Sequence, residues 1–337
     1  MLETRGARGK VSPETSAENR VYVGIVLEAR LRHDVCKDWL DIFIHPIGQK
    51  LRVANNRDGL KRLKRELASY EVVLIVLEAT GKYHRLAHRN LDASGFAVVV
   101  VNPLRSRLFA ESKGNLAKTD ALDAQVLAIM GEAHQLQGEA PPAPDMVDLQ
   151  ELLRARQAVV ADAAALKNQL GEAAMPIVKT ELKRRIKSAE GSRDRFDKEI
   201  ARRIKADPLL ARRFEIVKSI KGVGPVAAMT LVIGMNELGS CTAKQAAMLA
   251  GLAPIACDSG DKSGTRRIRG GRADVRSGIY MAAVAAARTN PDLRIFFRRL
   301  RDAGKPFKVA VTAVMRKIIA LANTLLREDR LWEPSYA

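Results

Sequence analysis

Two apolar runs constrain this chain more than any other feature. VVLIVLE (72–78) and FAVVVVNP (96–103) are continuous and β-branched, without the alternation of a half-exposed strand. Each needs both faces covered, so each reads as a central strand of a sheet layered by helices. VYVGIVL (21–27) reads as a buried strand, LDIFIHP (40–46) alternates and stops at a proline, and KLRVAN (50–55) is a short third strand. Between the runs, RDGLKRLKRELASY (57–70) and HRLAHRNLDASG (84–95) have apolar residues at helical spacing, the second closed by Gly95. TDALDAQVLAIMGEA (119–133) is a further helix, capped by Thr119.

The element order is therefore β-β-β-α-β-α-β-α. Three leading strands followed by alternation is the order of ribonuclease H and RuvC-like α/β domains, whereas a doubly wound nucleotide-binding sheet alternates from the start. This domain is expected over 20–137, after a flexible polar tail at 1–19 that has no apolar run and predicts no signal peptide. GEAPPAPDM (138–146) holds three prolines and reads as a linker. The pattern then stays helical to about 218, which predicts a long hairpin or coiled-coil-like connector over 138–218. Its stretch 179–221 carries 15 basic and 7 acidic residues. A second, mainly α domain follows at 219–330. There, SIKGVGPVAAMTLV (219–232) sets Lys221, Gly222 and Gly224 ahead of a small-residue helix. That is the form of a helix-hairpin-helix turn aiming backbone N–H groups at a phosphate, and equally of an ordinary turn between helices.

Charge narrows the partner. Lys and Arg number 57 against 38 Asp and Glu, a net +19, so the expected partner is a polyanion, nucleic acid before a membrane surface. Aromatics are only 4% of residues, too few for prominent base-stacking platforms. Cys36, Cys241 and Cys257 form no pair pattern, which fits a reducing cytoplasm and excludes a disulfide framework or zinc finger. No apolar run is read as a membrane span; VAVTAVMRKIIALANTLLRED (309–329) reads as a packing helix.

The carboxylates stand where this topology converges. Glu78 ends the central strand VVLIVLE, and Asp120 and Asp123 are three apart on one helix face. Asp34 and Asp41 flank the first hairpin. Carboxylates gathered at one sheet edge repel unless divalent cations bridge them, and Mg2+ takes such oxygen ligands and polarises phosphate. Asp41 reads as structural. The histidines show no ligand spacing beyond His84 and His88, which read as one helix face, and Phe296 and Phe297 read as core.

These residues also carry a family resemblance. GIV…DVCKDWLDIFIHP, VLEATGKY, NPLRSRLFAESKGNLAKTDALDA, IKGVGPVAAMTLV and LAGLAPIACDSGDKSGTRRIRGGRADVRSGIYMAA, in that order over about 21–328, resemble the insertion sequence 110 family of transposases. The resemblance implies a RuvC-like DEDD domain binding Mg2+ through Asp34, Glu78, Asp120 and Asp123. It also implies a nucleophilic Ser259 in the CDSG motif, a bridge RNA that guides site choice, and a homo-oligomer, dimer to tetramer, with sites shared between subunits. Tyr83 would lie near the site or pack beside it. In the family the first Asp follows the first strand directly, but here VLEARLRH (26–33) stands between GI and DVCK. Either this insert loops out and Asp34 reaches the site, or it displaces Asp34; Glu28 within it matches nothing in the pattern.

Six basic residues near Ser259 (Lys262, Arg266, Arg267, Arg269, Arg272 and Arg276) suit a developing phosphorane charge. Ser263 is the second serine before a glycine in that stretch. Arg105, Arg107, Lys113 and Lys118 lie in what reads as a loop and suit contacts to double-stranded DNA. Three functions fit: a recombinase with a covalent serine intermediate, a metal-dependent nuclease or junction resolvase, and a nucleic-acid-binding copy without activity.

Overall fold

The computed structural model describes residues 20–27, 38–114, 120–256 and 266–334. The chain divides into two compact units at Pro142/Ala143.

The first unit holds β1 (Arg20–Leu27), β2 (Trp39–His45), β3 (Gln49–Ala54), α1 (Arg57–Leu67), β4 (Glu71–Glu78), α2 (His84–Asp92), β5 (Val98–Val101), α3 (Pro103–Ser112) and α4 (Asp120–Ala133). Its sheet has the order β3-β2-β1-β4-β5. β1 pairs antiparallel with β2 and parallel with β4, and β4 and β5 are parallel. VVLIVLE is thus an inner strand, but FAVVVVNP, expected to be central, is the edge strand β5; its valines are mostly buried because helices cover both faces even at that edge. The odd and even residues of β1 and β4 feed two separate cores. Ile25, Ile75 and Leu77 meet α1 and α2 residues on one face, and Val26, Leu74 and Val76 meet α4 on the other.

Two further sequence expectations need correction. The stretch taken for a loop after β5 is mostly helix α3: Asn102 caps it by accepting from the Leu104 amide at 2.8 Å, and Pro103 occupies its first turn. The supposed insert begins inside β1, because Val26 and Leu27 are buried strand residues paired with Asp41 and Leu40. Residues 28–33, the tail and Thr119 lie outside the described residues.

α4 packs with almost no gap on β1. A Cβ added at Gly24 would lie 1.8 Å from the Ala124 carbonyl oxygen and 2.7 Å from the Ala128 nitrogen. One added at Gly131 would meet Val76, and Tyr22 and Leu74 are also near. The helix therefore runs from Gly24 back toward Tyr22, antiparallel to β1 and β4.

The second unit is helical apart from one short ribbon. α5 (Pro144–Glu172) and α6 (Pro176–Ala206) form the long hairpin, so the linker ends at Ala143. The hairpin's base joins the unit's main core through Leu149, Leu153, Ile200 and Ile204, and its tip has a small core of Leu166, Leu182 and Ile186. Between these, half-buried Asp197 accepts from buried Arg156 at 2.5 Å. α7 (Pro208–Ser219), α8 (Pro225–Gly234), α9 (Ala243–Leu249), β6 (Pro254–Ile255), β7 (Arg267–Ile268), α10 (Ala273–Thr289), α11 (Pro291–Asp302) and α12 (Phe307–Arg327) complete it. α12 is long and apolar enough to span a membrane, but Val311, Val314, Ile318 and Ile319 are buried in this core, which makes it a packing helix.

Gly24→Ala should destabilise the first unit by roughly 3 kcal/mol, since backbone stands where the methyl must go. Gly191→Ala, in α6 where an added Cβ meets nothing, should stabilise by about 0.5–1 kcal/mol. Urea unfolding followed by circular dichroism separates the two.

Candidate active site

The register of the first unit sets one row of residues across the sheet. Asp41 pairs with Arg52 on β3 and with Val26 on β1; one residue past the Ile25–Leu77 pair, Val26 meets the level of Glu78, which pairs with Val101 on β5. Val26, Val101 and Phe43 belong to the core under α4, so this row faces that helix. From Ala124, above Gly24, the first turn of α4 reaches about 6 Å further along the same direction. Two residues of β1 cover about 7 Å. The start of α4 therefore overlies the row that holds Glu78, at the C-terminal edge of the parallel strands. Asp120 opens α4, and Asp123, half-buried, follows in its first turn. Glu78 is half-buried at the end of β4.

The structure thus brings Glu78 and the start of α4 to one edge. Asp34 lies outside the described residues. Among the described residues, no three His, Cys, Asp or Glu side chains gather as a metal site. Asp41 stands in the same row but is spoken for: Arg52 donates to both its oxygens at 2.7 and 2.8 Å, as a structural residue requires. The β1 position between Asp41 and Glu78 is the apolar Val26. His84 and His88 form no ligand pair, since His88 Nε2 bonds the Glu139 carbonyl at 2.8 Å, while burial lowers the pKa of His84. Tyr83 packs against the core on the other face.

Arg105, Arg107 and Lys113 are exposed on or just after α3, and Arg107 pairs with Glu111 at 3.0 Å; Lys118 lies outside the described residues. Exposed Leu104 and Leu108 stand with them.

In the second unit, Ser259, Ser263 and Lys262 lie outside the described residues, but both ends of their segment are described. β6 and β7 pair antiparallel, Pro254 opposite Ile268 and Ile255 opposite Arg267. Below them Gly251 and Gly271 touch so closely that a Cβ on Gly271 would fall 2.1 Å from the Gly251 nitrogen. Arg276 donates to the Gly270 carbonyl at 3.0 Å and reaches the Gly251 carbonyl at 3.4 Å. Arg276 thus ties the two sides of the stem together.

Arg272 is likewise turned inward. It donates to both oxygens of Glu237 and to the Gly234 carbonyl at 2.9 Å. Burial is the largest single influence and pushes the Glu237 carboxyl up, but the Arg272 hydrogen bonds, a backbone hydrogen bond and the Arg272 charge together outweigh it, so the net pKa is below the ordinary value. Arg266, Arg267 and Arg269 remain exposed. Gly222 has a packing reason: at φ +100° its missing Cβ makes room for Ala286 of α10, with backbone 2.5 Å from where that atom would stand. Asn290, fully buried, donates to the Lys221 carbonyl at 3.1 Å and caps α11. Exposed Lys221 and Gly224 flank this turn before α8. Sequence reasoning missed Glu237 and Asn290, whose roles depend on partners tens of residues away.

Residues 42–175 match a family model described as Transposase, of the DEDD type, and residues 214–298 match the Transposase IS116/IS110/IS902 family. The chain belongs to this transposase family. It is 27% identical to the pilin gene-inverting protein of Moraxella bovis over 322 residues, which cover 93% of this chain and 97% of that protein. The Moraxella lacunata protein of the same name matches over the same extent, also at 27% identity. The IS900 uncharacterized 42 kDa protein of Mycobacterium paratuberculosis is 32% identical over 128 residues, 37% of this chain and 32% of that one.

Arg272→Ala should lower stability by about 1–2 kcal/mol, allowing for partial exposure of the pair, whereas Arg269→Ala should leave melting unchanged and weaken DNA binding. Because the folded pKa of Glu237 is depressed, its contribution is present above the ordinary carboxylate value and lost as pH falls through the folded one. Thermal melts from pH 7 down to pH 3 should therefore be flatter for Glu237→Gln than for the native chain.

Proposed function

We propose that this protein is a DNA recombinase of an insertion element. It would cut and rejoin DNA at a composite site made from the carboxylate edge of a RuvC-like first unit and Ser259 of the second. The observation that carries the proposal is the approach of α4 to β1 at Gly24, which lays the Asp120–Asp123 turn over the row of Glu78. The family supports it, and the names of its relatives point to DNA inversion and insertion elements.

Asp34, Glu78, Asp120 and Asp123 are hard oxygen donors of the kind Mg2+ takes, and they would hold it. A bound Mg2+ would supply charge neutralisation at the phosphate. The rest falls to the chain. Ser259 Oγ attacks phosphorus, its proton passes to a general base, and the sugar hydroxyl leaves. The phosphoserine ester conserves the bond energy, so attack by a sugar hydroxyl on the exchanged strand restores a phosphodiester and frees the serine. Arg266, Arg267, Arg269 and Lys262 would neutralise charge around the phosphate, while Arg276 and the Gly251–Gly271 contact hold the stem that presents the serine. Site choice by a bridge RNA suits a basic surface poor in aromatics. Sites completed across a homo-oligomer would let the serine of one subunit meet the carboxylates of another.

The test mixes purified protein, the transcript flanking its element, end-joined element DNA and Mg2+. Products are run on a denaturing gel before and after protease. The expected result is a protease-sensitive protein–DNA adduct that disappears with Ser259→Ala and with Asp34→Ala. Cleavage without an adduct, unaffected by Ser259→Ala, would replace the recombinase by a hydrolytic nuclease or junction resolvase. An inert native chain that regains cleavage when residues 28–33 are deleted would make this copy an inactivated, nucleic-acid-binding one.

A further inference from the structure

A second basic surface lies on α11 and the turn into α12, elements other than those that flank the serine segment in the sequence. Residues 291–308 carry six basic side chains against two acidic ones. Arg294, Arg298 and Arg301 stand at i, i+4 and i+7, hence in one ridge about 10 Å long. All three are exposed, while Leu293 is buried and Phe296 and Phe297 pack against the unit's core. The ridge is therefore the solvent face of a firmly seated helix.

Its charge is not spent locally. On α6, Arg184 is held by Glu181, and Arg202 and Arg203 by Glu199. On α11, among the described residues, no ion pair joins Arg294 or Arg298 to a carboxylate. The seat is also rigid. Arg299 and Lys317 lie 5.5 and 5.4 Å from the Phe296 ring centroid, Phe307 meets Phe297 edge-on at 5.8 Å, and Arg301 donates to the Lys305 carbonyl at 2.6 Å. Planar guanidinium groups fixed at helical spacing suit phosphate oxygens. Phe296 and Phe297 are covered rather than offered to unpaired bases, which favours a duplex over a single strand.

We infer that the Arg294–Arg298 ridge of α11 is a docking surface for the sugar-phosphate backbone of double-stranded DNA. The choice of DNA rests on the recombinase reading above. Such a contact positions the duplex and carries no sequence information.

Equilibrium binding of the full-length protein to a labelled random-sequence DNA duplex, titrated with salt, tests this. Each lost phosphate contact removes about 0.9 from the slope of log affinity against log salt, so Arg294→Gln/Arg298→Gln should flatten it by about 2. The melting temperature should not change, and Arg294→Lys/Arg298→Lys should keep most of the slope. Lys183→Gln/Lys187→Gln, which removes two exposed charges from α6, should leave it as it was. An unchanged slope in the α11 variant would overturn the inference. Equal losses in both Gln variants would also overturn it, since bulk charge would then explain them. A loss seen with duplex RNA but not DNA would assign the ridge to RNA and overturn it as well. Binding is read without cleavage, so an inert chain that still shows the slope change would defeat the recombinase mechanism and leave this surface standing.

Discussion

The structure of the first unit depends on one missing side chain. At Gly24, in the middle of β1, the backbone of α4 comes so close that not even a methyl group could stand between them. Close approach fixes both the height and the direction of the helix. With Gly131 meeting Val76 further along, α4 has one seating, antiparallel to β1 and β4. Everything proposed about chemistry in this unit follows from that seating, because it decides which sheet edge the start of α4 reaches. A bulkier residue at position 24 would move the carboxylates without altering any of them.

The second unit solves a different problem: joining the two described ends of a polar, glycine-rich stretch. It does so with arginines turned inward. Arg276 ties the stem through the Gly270 and Gly251 carbonyls, and Arg272 fixes the start of α10 to Glu237 and the end of α8. Below the turn at Gly222, Ala286 fills the place of a side chain, and Asn290 holds the Lys221 carbonyl. These groups stand beside the exposed Arg266, Arg267 and Arg269, so neighbouring arginines in one basic stretch divide between structure and surface.

The strands of the first unit were legible because β-branched continuity is a direct consequence of burial on both faces. Glu78 and the Asp120–Asp123 turn were legible as candidates because strand ends and helix starts can be counted. α3 was not, since Leu104 and Leu108 are exposed and leave no apolar stripe, although Asn102 followed by Pro103 is a helix-start signal that was available. The inward roles of Arg272 and Arg276 could not be read, because Glu237 lies 35 residues from one and Gly251 lies 25 from the other. A charge on a sequence carries no mark of whether a distant carboxylate or carbonyl has claimed it. Asp41 shows the converse: its place beside a hairpin suggested structure, and the Arg52 pair supplies the reason.

The central claim is that Glu78 and the first turn of α4 serve one site. Binding of Mn2+ to the intact protein, followed by electron paramagnetic resonance, tests it without requiring DNA, RNA or turnover. The account predicts a bound-ion signal weakened separately by Glu78→Gln and by Asp123→Asn, with both variants folded as judged by circular dichroism. Undiminished binding in both variants would contradict it, because the two carboxylates would then share an edge of the sheet and no ion.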